Sequence, residues 1–199
     1  MRFIARNLLR SAADLICLQE ISNEPGFLEQ FQATHLGGQY PYRLEPCGND
    51  PRGMNLAVLS KVPLLHNQSH AAHAFGLLDN SRVSRFSRDL LLLDCQFQEK
   101  TWRIFSTHLK SMRGGPNAHR QRESEAAAIV EILSHQTTQG QPWVLLGDLN
   151  DHPQSPTLRR FLDPPLQLCN SLEVSGAVRT ATFLCRGSRH QRDFILFPC

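Results

Sequence analysis

The segment WVLLGDLNDHP, residues 143–153, carries an apolar run into Gly147, Asp148, Leu149 and Asn150. Side chains two apart on extended backbone face the same way, so Asp148 and Asn150 can share one small site. A carboxylate there binds a cation or takes a proton, and a carboxamide beside it is a neutral donor and acceptor. The same residues also make a good turn, because Asp and Asn cap local backbone and Pro sets a bend. On this segment alone the two readings stand level. Three more candidates sit at the ends of similar runs: Glu20 closes LICLQE (15–20), His108 follows IFST within IFSTHLKS (104–111), and Asp193 opens the strand-like part of RDFILF (192–197). Each also has a plain structural reading: an exposed glutamate after a strand, one of nine histidines satisfied at a strand end, a charged residue opening a strand. Lys110, Arg113, Arg85 and Arg88 lie near these ends. Arg suits bidentate contact with phosphate and Lys offers a point charge, though solvated surface accounts for such residues equally well.

The elements that must position these groups follow from periodicity. Ile4, Leu8, Leu9, Ala12 and Ala13 recur at helical spacing, so residues 3–13 read as an amphipathic helix punctuated by Asp14. Leu15–Leu18 fits a short buried strand with Gln19 and Glu20 at its carboxyl end, where function tends to sit. Residues 27–33 suggest a short helix, followed by a connection rich in Gly and Pro up to Gly53. Residues 55–60 read as a strand stopped by Pro63. Residues 90–97 and 102–107, separated by the polar segment 98–101, predict a hairpin. After a Gly-Pro loop at 111–118, residues 119–135 predict a surface helix with one apolar face. Residues 143–146 form a buried strand, 157–162 a short helix and 194–197 a last strand. The elements interleave without strict βαβ alternation, and the hairpin needs antiparallel pairing. That pattern suggests an α/β architecture of two mixed sheets packed together with helices outside.

Composition narrows the class. A chain of 199 residues, 41% hydrophobic, buries one sizeable core, so a single domain over 1–199 is expected. Its 21 basic and 18 acidic residues leave a net charge of +3, too small for the footprint of a dedicated nucleic-acid binder. Two tryptophans and two tyrosines offer no obvious stacking platform for single strands. The six cysteines include no C-x-x-C pair and are read as reduced core or loop thiols. Arg6, Asn7, Arg10 and Asp14 interrupt any apolar leader core, and no run is long enough to span a membrane. The location is left open, cytoplasmic if Met1 is the natural start.

Taken together, LICLQE, IFSTHLKS, VLLGDLNDHP and RDFILF occur in the order and approximate spacing of the endonuclease/exonuclease/phosphatase superfamily, which includes deoxyribonuclease I. The segments NLAVLSKVPL (55–64) and RFSRDLLLLD (85–94) resemble that family's intervening strands, so the resemblance spans nearly the whole chain. It implies a four-layer sandwich of two mixed sheets between helices, and a metal-dependent phosphoester hydrolase with nuclease placed first among subclasses. Lipid head groups and inositol phosphates stay open as substrates, and the alternative is a catalytically dead binding or scaffold domain. By the same resemblance, Glu20 is the ligand of a divalent cation, usually magnesium, with manganese as substitute. His108 contacts the scissile phosphate, Asp148 activates the attacking water, and Asn150 orients water and phosphate. Asp193 matches an aspartate that holds a downstream histidine in its working tautomer. Lys110, Arg88 and Arg113 are placed on substrate phosphate. The family also has a first strand with W-N and a terminal strand with S-D-H. Neither motif occurs here, so the resemblance predicts a domain incomplete at both ends, with little activity as it stands.

Overall fold

A computed structural model describes residues 1–80, 82–137, 140–176, 182–185 and 188–199. Helix α1 (Arg2–Ser11) leads to strand β1 (Leu15–Ser22) and helix α2 (Phe27–His35), followed by β2 (Tyr42–Leu44) and β3 (Met54–Ser60). Then come β4 (Leu64–Ser69), β5 (Ala74–Gly76), β6 (Val83–Arg85), β7 (Leu90–Phe97) and β8 (Lys100–His108). Helix α3 (Gly115–Gln136), β9 (Trp143–Asp148), α4 (Pro156–Leu162), β10 (Leu168–Asn170) and the short α5 (Ser171–Val174) come next. Strands β11 (Phe183–Cys185), β12 (Ser188–His190) and β13 (Asp193–Pro198) close the chain.

Two sheets face each other. The smaller, in the order β1-β3-β2, is antiparallel throughout its described strands; the larger, β10-β13-β9-β8-β7-β4, is mixed, with β8 and β9 parallel. The expected pair of packed sheets is therefore present, and the mixed character lies in the larger one. Period-two alternation divides the apolar side chains among three layers. In β3, Ala57 and Leu59 face α1 and α2, whereas Leu56 and Val58 face the larger sheet. In β7, Leu91 and Leu93 point between the sheets, whereas Leu90 and Leu92 join Phe105, Leu145, Phe194 and Leu196 under Ile129 and Leu133 of α3 and Phe161 of α4. Helix, sheet, sheet and helix form the four layers.

Two local features shape the edges of the sandwich. In β1 the ladder jumps from Leu18↔Ala57 to Ile21↔Asn55, so Gln19 and Glu20 together oppose Leu56 in a bulge, with Glu20 at φ 56°. A bulge re-aims the side chain it carries. In β13, Asp193 and Ile195 face the smaller sheet but stay exposed. A groove of about 850 Å³ lies there, with Trp102, Val144, Ile195 and Phe197 in its wall.

One cysteine expectation is corrected. Cys169 and Cys199 form a disulfide, because β10 pairs antiparallel with β13 and brings Cys169 opposite Phe197, within reach of the chain's last residue. Cys17, Cys47 and Cys95 are free thiols, the last buried, while the side chain of Cys185 lies outside the described residues.

Candidate active site

Parallel β8 and β9 end on the same side of the sheet, and antiparallel β13 begins there. Register sets His108 beside Asp148, and Asp148 beside Asp193. Alternation puts all three on the face that carries Ile104, Val144 and Leu146, the face turned to the smaller sheet. β1 packs against β8 and β9 across that space. The bulge turns Glu20 outward, and its charge reaches Asp148. Four of the five expected catalytic and metal residues thus meet at one edge of the sandwich, and Asn150 follows immediately.

Close strand approach makes the corner. A Cβ on Gly147 would lie 1.9 Å from the Thr107 carbonyl oxygen, and φ is 141°, so a side chain is excluded at the residue before Asp148. The Asp148 carbonyl accepts from Leu109 N at 3.0 Å, and its Oδ1 accepts from Asn150 N at 2.8 Å. Asn150, at φ 52°, donates from Nδ2 to the Leu109 carbonyl at 3.1 Å. Each site loop thereby braces the other.

Helix α3 fixes both loops from behind. Arg122 Nε donates to Asp151 Oδ2 at 2.8 Å in a buried ion pair, and its Nη1 donates to the Lys110 carbonyl at 3.3 Å. Asp151 also accepts from Thr157 Oγ1 at 2.8 Å. One turn along, Glu125 accepts from the backbone N–H groups of Ser87 and Lys110, both at 2.7 Å. Burial raises the Glu125 carboxyl, and these donors oppose the rise.

Electrostatics separate the roles. Burial, with Arg88 adding to it, pulls the His108 imidazole down to about 3, so it is neutral at ordinary pH. Its Nδ1 is buried and has no partner among the described residues. Burial pushes the Asp148 carboxyl up to about 6; the Asn150 N–H and Arg192 oppose that rise, and the charges of Asp193 and Glu20 add to it. No histidine among the described residues hydrogen-bonds the exposed Asp193 carboxylate, so the orienting role expected of it has no visible counterpart. Among the described residues, no three His, Cys, Asp or Glu side chains are grouped closely enough to hold a metal ion unaided.

Arg88 is corrected. Expected on substrate phosphate, its guanidinium is instead engaged inside the protein, with Asp50 Oδ2 3.1 Å from its Nε and its Nη1 donating to the Leu109 carbonyl at 3.2 Å. It acts on His108 from within. Its counterion Asp50 was not foreseen: hydrogen bonds from Arg52 foremost, with Arg88 assisting, hold that carboxyl down at about 2. The signal was faint, an Asp inside a Gly-Pro connection 38 residues before Arg88. Arg122, Glu125 and Arg192 were also missed. Lys110 and Arg113 lie on the loop beyond His108, outside the row of site residues.

Comparison with known proteins adds a lineage to this geometry. The profile described as the Endonuclease/Exonuclease/phosphatase family matches residues 1–197. The human Nocturnin catalytic domain superposes with a TM-score of 0.73 at 17% identity, covering 98% of this chain and 73% of that one. Humanized D. rerio TDP2 gives 0.72 at 16%, covering 99% and 74%, and Staphylococcus aureus beta toxin gives 0.67 at 16%, covering 98% and 75%. At such identities the likeness speaks for the fold. No curated protein sequence matches the chain.

Proposed function

Because the chain belongs to the endonuclease/exonuclease/phosphatase family, whose members are phosphoester hydrolases, we propose that it cleaves a phosphodiester by attack of water, with Asp148 as proton acceptor. The observation that carries this reading is the row His108, Asp148, Asp193 across three neighbouring strand ends, with Glu20 facing it from the other sheet. The Asp148 carboxyl, raised to about 6, is ionised at neutral pH yet more basic than an ordinary aspartate, as a general base requires. Water forms the new P–O bond as its proton passes to Asp148, and the bond to the leaving oxygen breaks. Neutral His108 donates N–H to a non-bridging phosphate oxygen, where negative charge accumulates. Asn150, pinned to Leu109, holds the loop that orients the water.

Burial is the main reason the Asp148 carboxyl is raised, and repulsion from the Asp193 and Glu20 carboxylates adds to it. The donor set fits magnesium or manganese, hard cations that take oxygen ligands, keep several waters and need only one or two protein carboxylates. Glu20 is the residue that would hold it. When bound, such a cation supplies positive charge to the phosphate. Nucleic acid is the first substrate class, supported by the similarity to D. rerio TDP2, solved in complex with a single-strand DNA product (TM-score 0.69).

The test is hydrolysis of bis(p-nitrophenyl) phosphate and a single-stranded oligonucleotide, with magnesium or with chelator. Turnover should vanish in chelator, and Glu20→Gln should demand more magnesium for half-maximal rate. Chelator-resistant turnover, or full activity of Asp148→Asn, sinks the proposal. A folded chain that binds these substrates with magnesium but never cleaves them would favour the binding-domain alternative.

A further inference from the structure

An open depression of about 650 Å³ lies beside the loop that follows His108, and none of His108, Asp148 or Asp193 lines it. Arg82, Arg85, Lys110 and Arg113 do, together with Asn117 and Gln121. No carboxylate is among the described residues of its wall. None of the four cations has an ion pair among the described residues, and only Arg85 uses its guanidinium, donating from Nε to the Ala72 carbonyl at 3.3 Å. The buried carboxylate behind the wall, Glu125, is engaged by Ser87 N, Lys110 N and Gln121, and is not available to neutralise them. Four cations collected without counterions repel one another, a cost relieved when an anion enters. The first turn of α3 adds to this field: no side chain caps its N-terminus, and Asn117 and Ala118 stand in the wall.

Position decides which anion. Lys110 is two residues beyond His108, so its Cα lies within about 7 Å of the residue that meets the scissile phosphate. We propose that the depression is a second phosphate subsite, receiving a phosphate one linkage from the one cleaved, so that preferred substrates carry at least two phosphates in succession. The proposal rests on the phosphodiesterase reading of the neighbouring row for its starting point. A single-stranded nucleic acid and a polyphosphorylated ring such as inositol hexakisphosphate share the required chemistry. Arg offers bidentate contacts there and Lys a point charge.

Binding of fluorescent hexathymidylate and of inositol hexakisphosphate, read in chelator without turnover, tests it with Arg85→Gln/Arg113→Gln. Both residues are exposed, so melting temperature should not move, and Arg113→Glu gives an independent charge reversal. The double variant should weaken the preferred probe about tenfold or more, two charge-assisted contacts being lost. For the oligonucleotide, the slope of log affinity against log salt should fall by about 1.4. Loss confined to hexathymidylate identifies a strand as the source, and loss confined to inositol hexakisphosphate identifies a ring polyphosphate. Wild-type affinity and salt slope for both probes in both variants overturns the subsite. Since no hydrolysis is measured, that result stands apart from the fate of Asp148→Asn.

Discussion

The Nε2 of His108 lies 3.7 Å from Asp148 Oδ2 across the parallel pairing of β8 and β9, yet the two never form an ion pair. His108 gains its proton only near pH 3, and Asp148 has already gained its own near pH 6. Above about pH 6 the pair is a neutral imidazole beside a carboxylate, the state that the proposed hydrolysis needs. The value of kcat/KM should therefore be flat above pH 6 and fall about tenfold per pH unit below it. Asp148→Asn should cost about two to four orders of magnitude and abolish this acid limb. A limb surviving in the variant would assign it to another group.

Asp89 offers a stability test away from the chemistry. Burial, opposed by a hydrogen bond from Ser69, raises its carboxyl to about 6. A raised acid contributes stability that is fully present below its ordinary value of 3.8 and lost as pH climbs through 6. Thermal unfolding of wild type and Asp89→Asn between pH 4 and 8 should show the difference shifting toward the variant by on the order of 3 kcal/mol. Parallel stability curves would show that Asp89 titrates normally.

Gly147→Ala should destabilise by more than about 3 kcal/mol, since strain and a steric clash combine. The comparison is Gly37→Ala, also at positive φ (58°) but with nothing within 4 Å of its new methyl, which should cost about 1 kcal/mol. Urea midpoints measure both. Equal midpoints would mean that β8 and β9 separate easily, and the geometry of the row would lose its rationale.

Arg122→Met leaves the Asp151 carboxylate buried with only Thr157 and the His152 N–H. Removing one partner of a buried pair costs about 3–5 kcal/mol. Because Asp151 follows Asn150, turnover should fall as well. Arg122→Met/Asp151→Leu should recover much of the stability but not the rate. A double variant no more stable than the single would show that Asp151 is not paired chiefly with Arg122.

Where the sequence carried long apolar runs, its reading held: 90–97 is β7 as expected, β3 and β9 gained one or two residues at one end, and β8 and β13 gained one or two at both ends. Helix α1 formed, but with Phe3 and Ile4 exposed and Ala5 as its buried anchor. Edge strand β4, exposed over most of its length, left no alternation to read, and the three-residue strands were too short for any period to register. In the site, motif residues were legible because each lies at or just beyond an end of an apolar run. Arg88 was placed by proximity in sequence, and its true partner Asp50 arrives from a distant connection that only folding brings near. The Cys169–Cys199 link likewise depends on the register of β10 with β13, which no spacing rule supplies.

The bulge in β1 has an evolutionary side. Gln19 and Glu20 share one partner position, so deleting either codon would restore an unbroken ladder with Leu18 and Ile21 still opposite their present neighbours. A frame-preserving deletion, ordinarily ruinous inside a buried strand, would here be absorbed by the backbone. Loss of Gln19 would draw the remaining carboxylate back into the pleat, and loss of Glu20 would discard it. This lineage can thus shed the carboxylate proposed to hold a cation through a change of length as readily as through a change of letter, and descendants that did so would keep their fold.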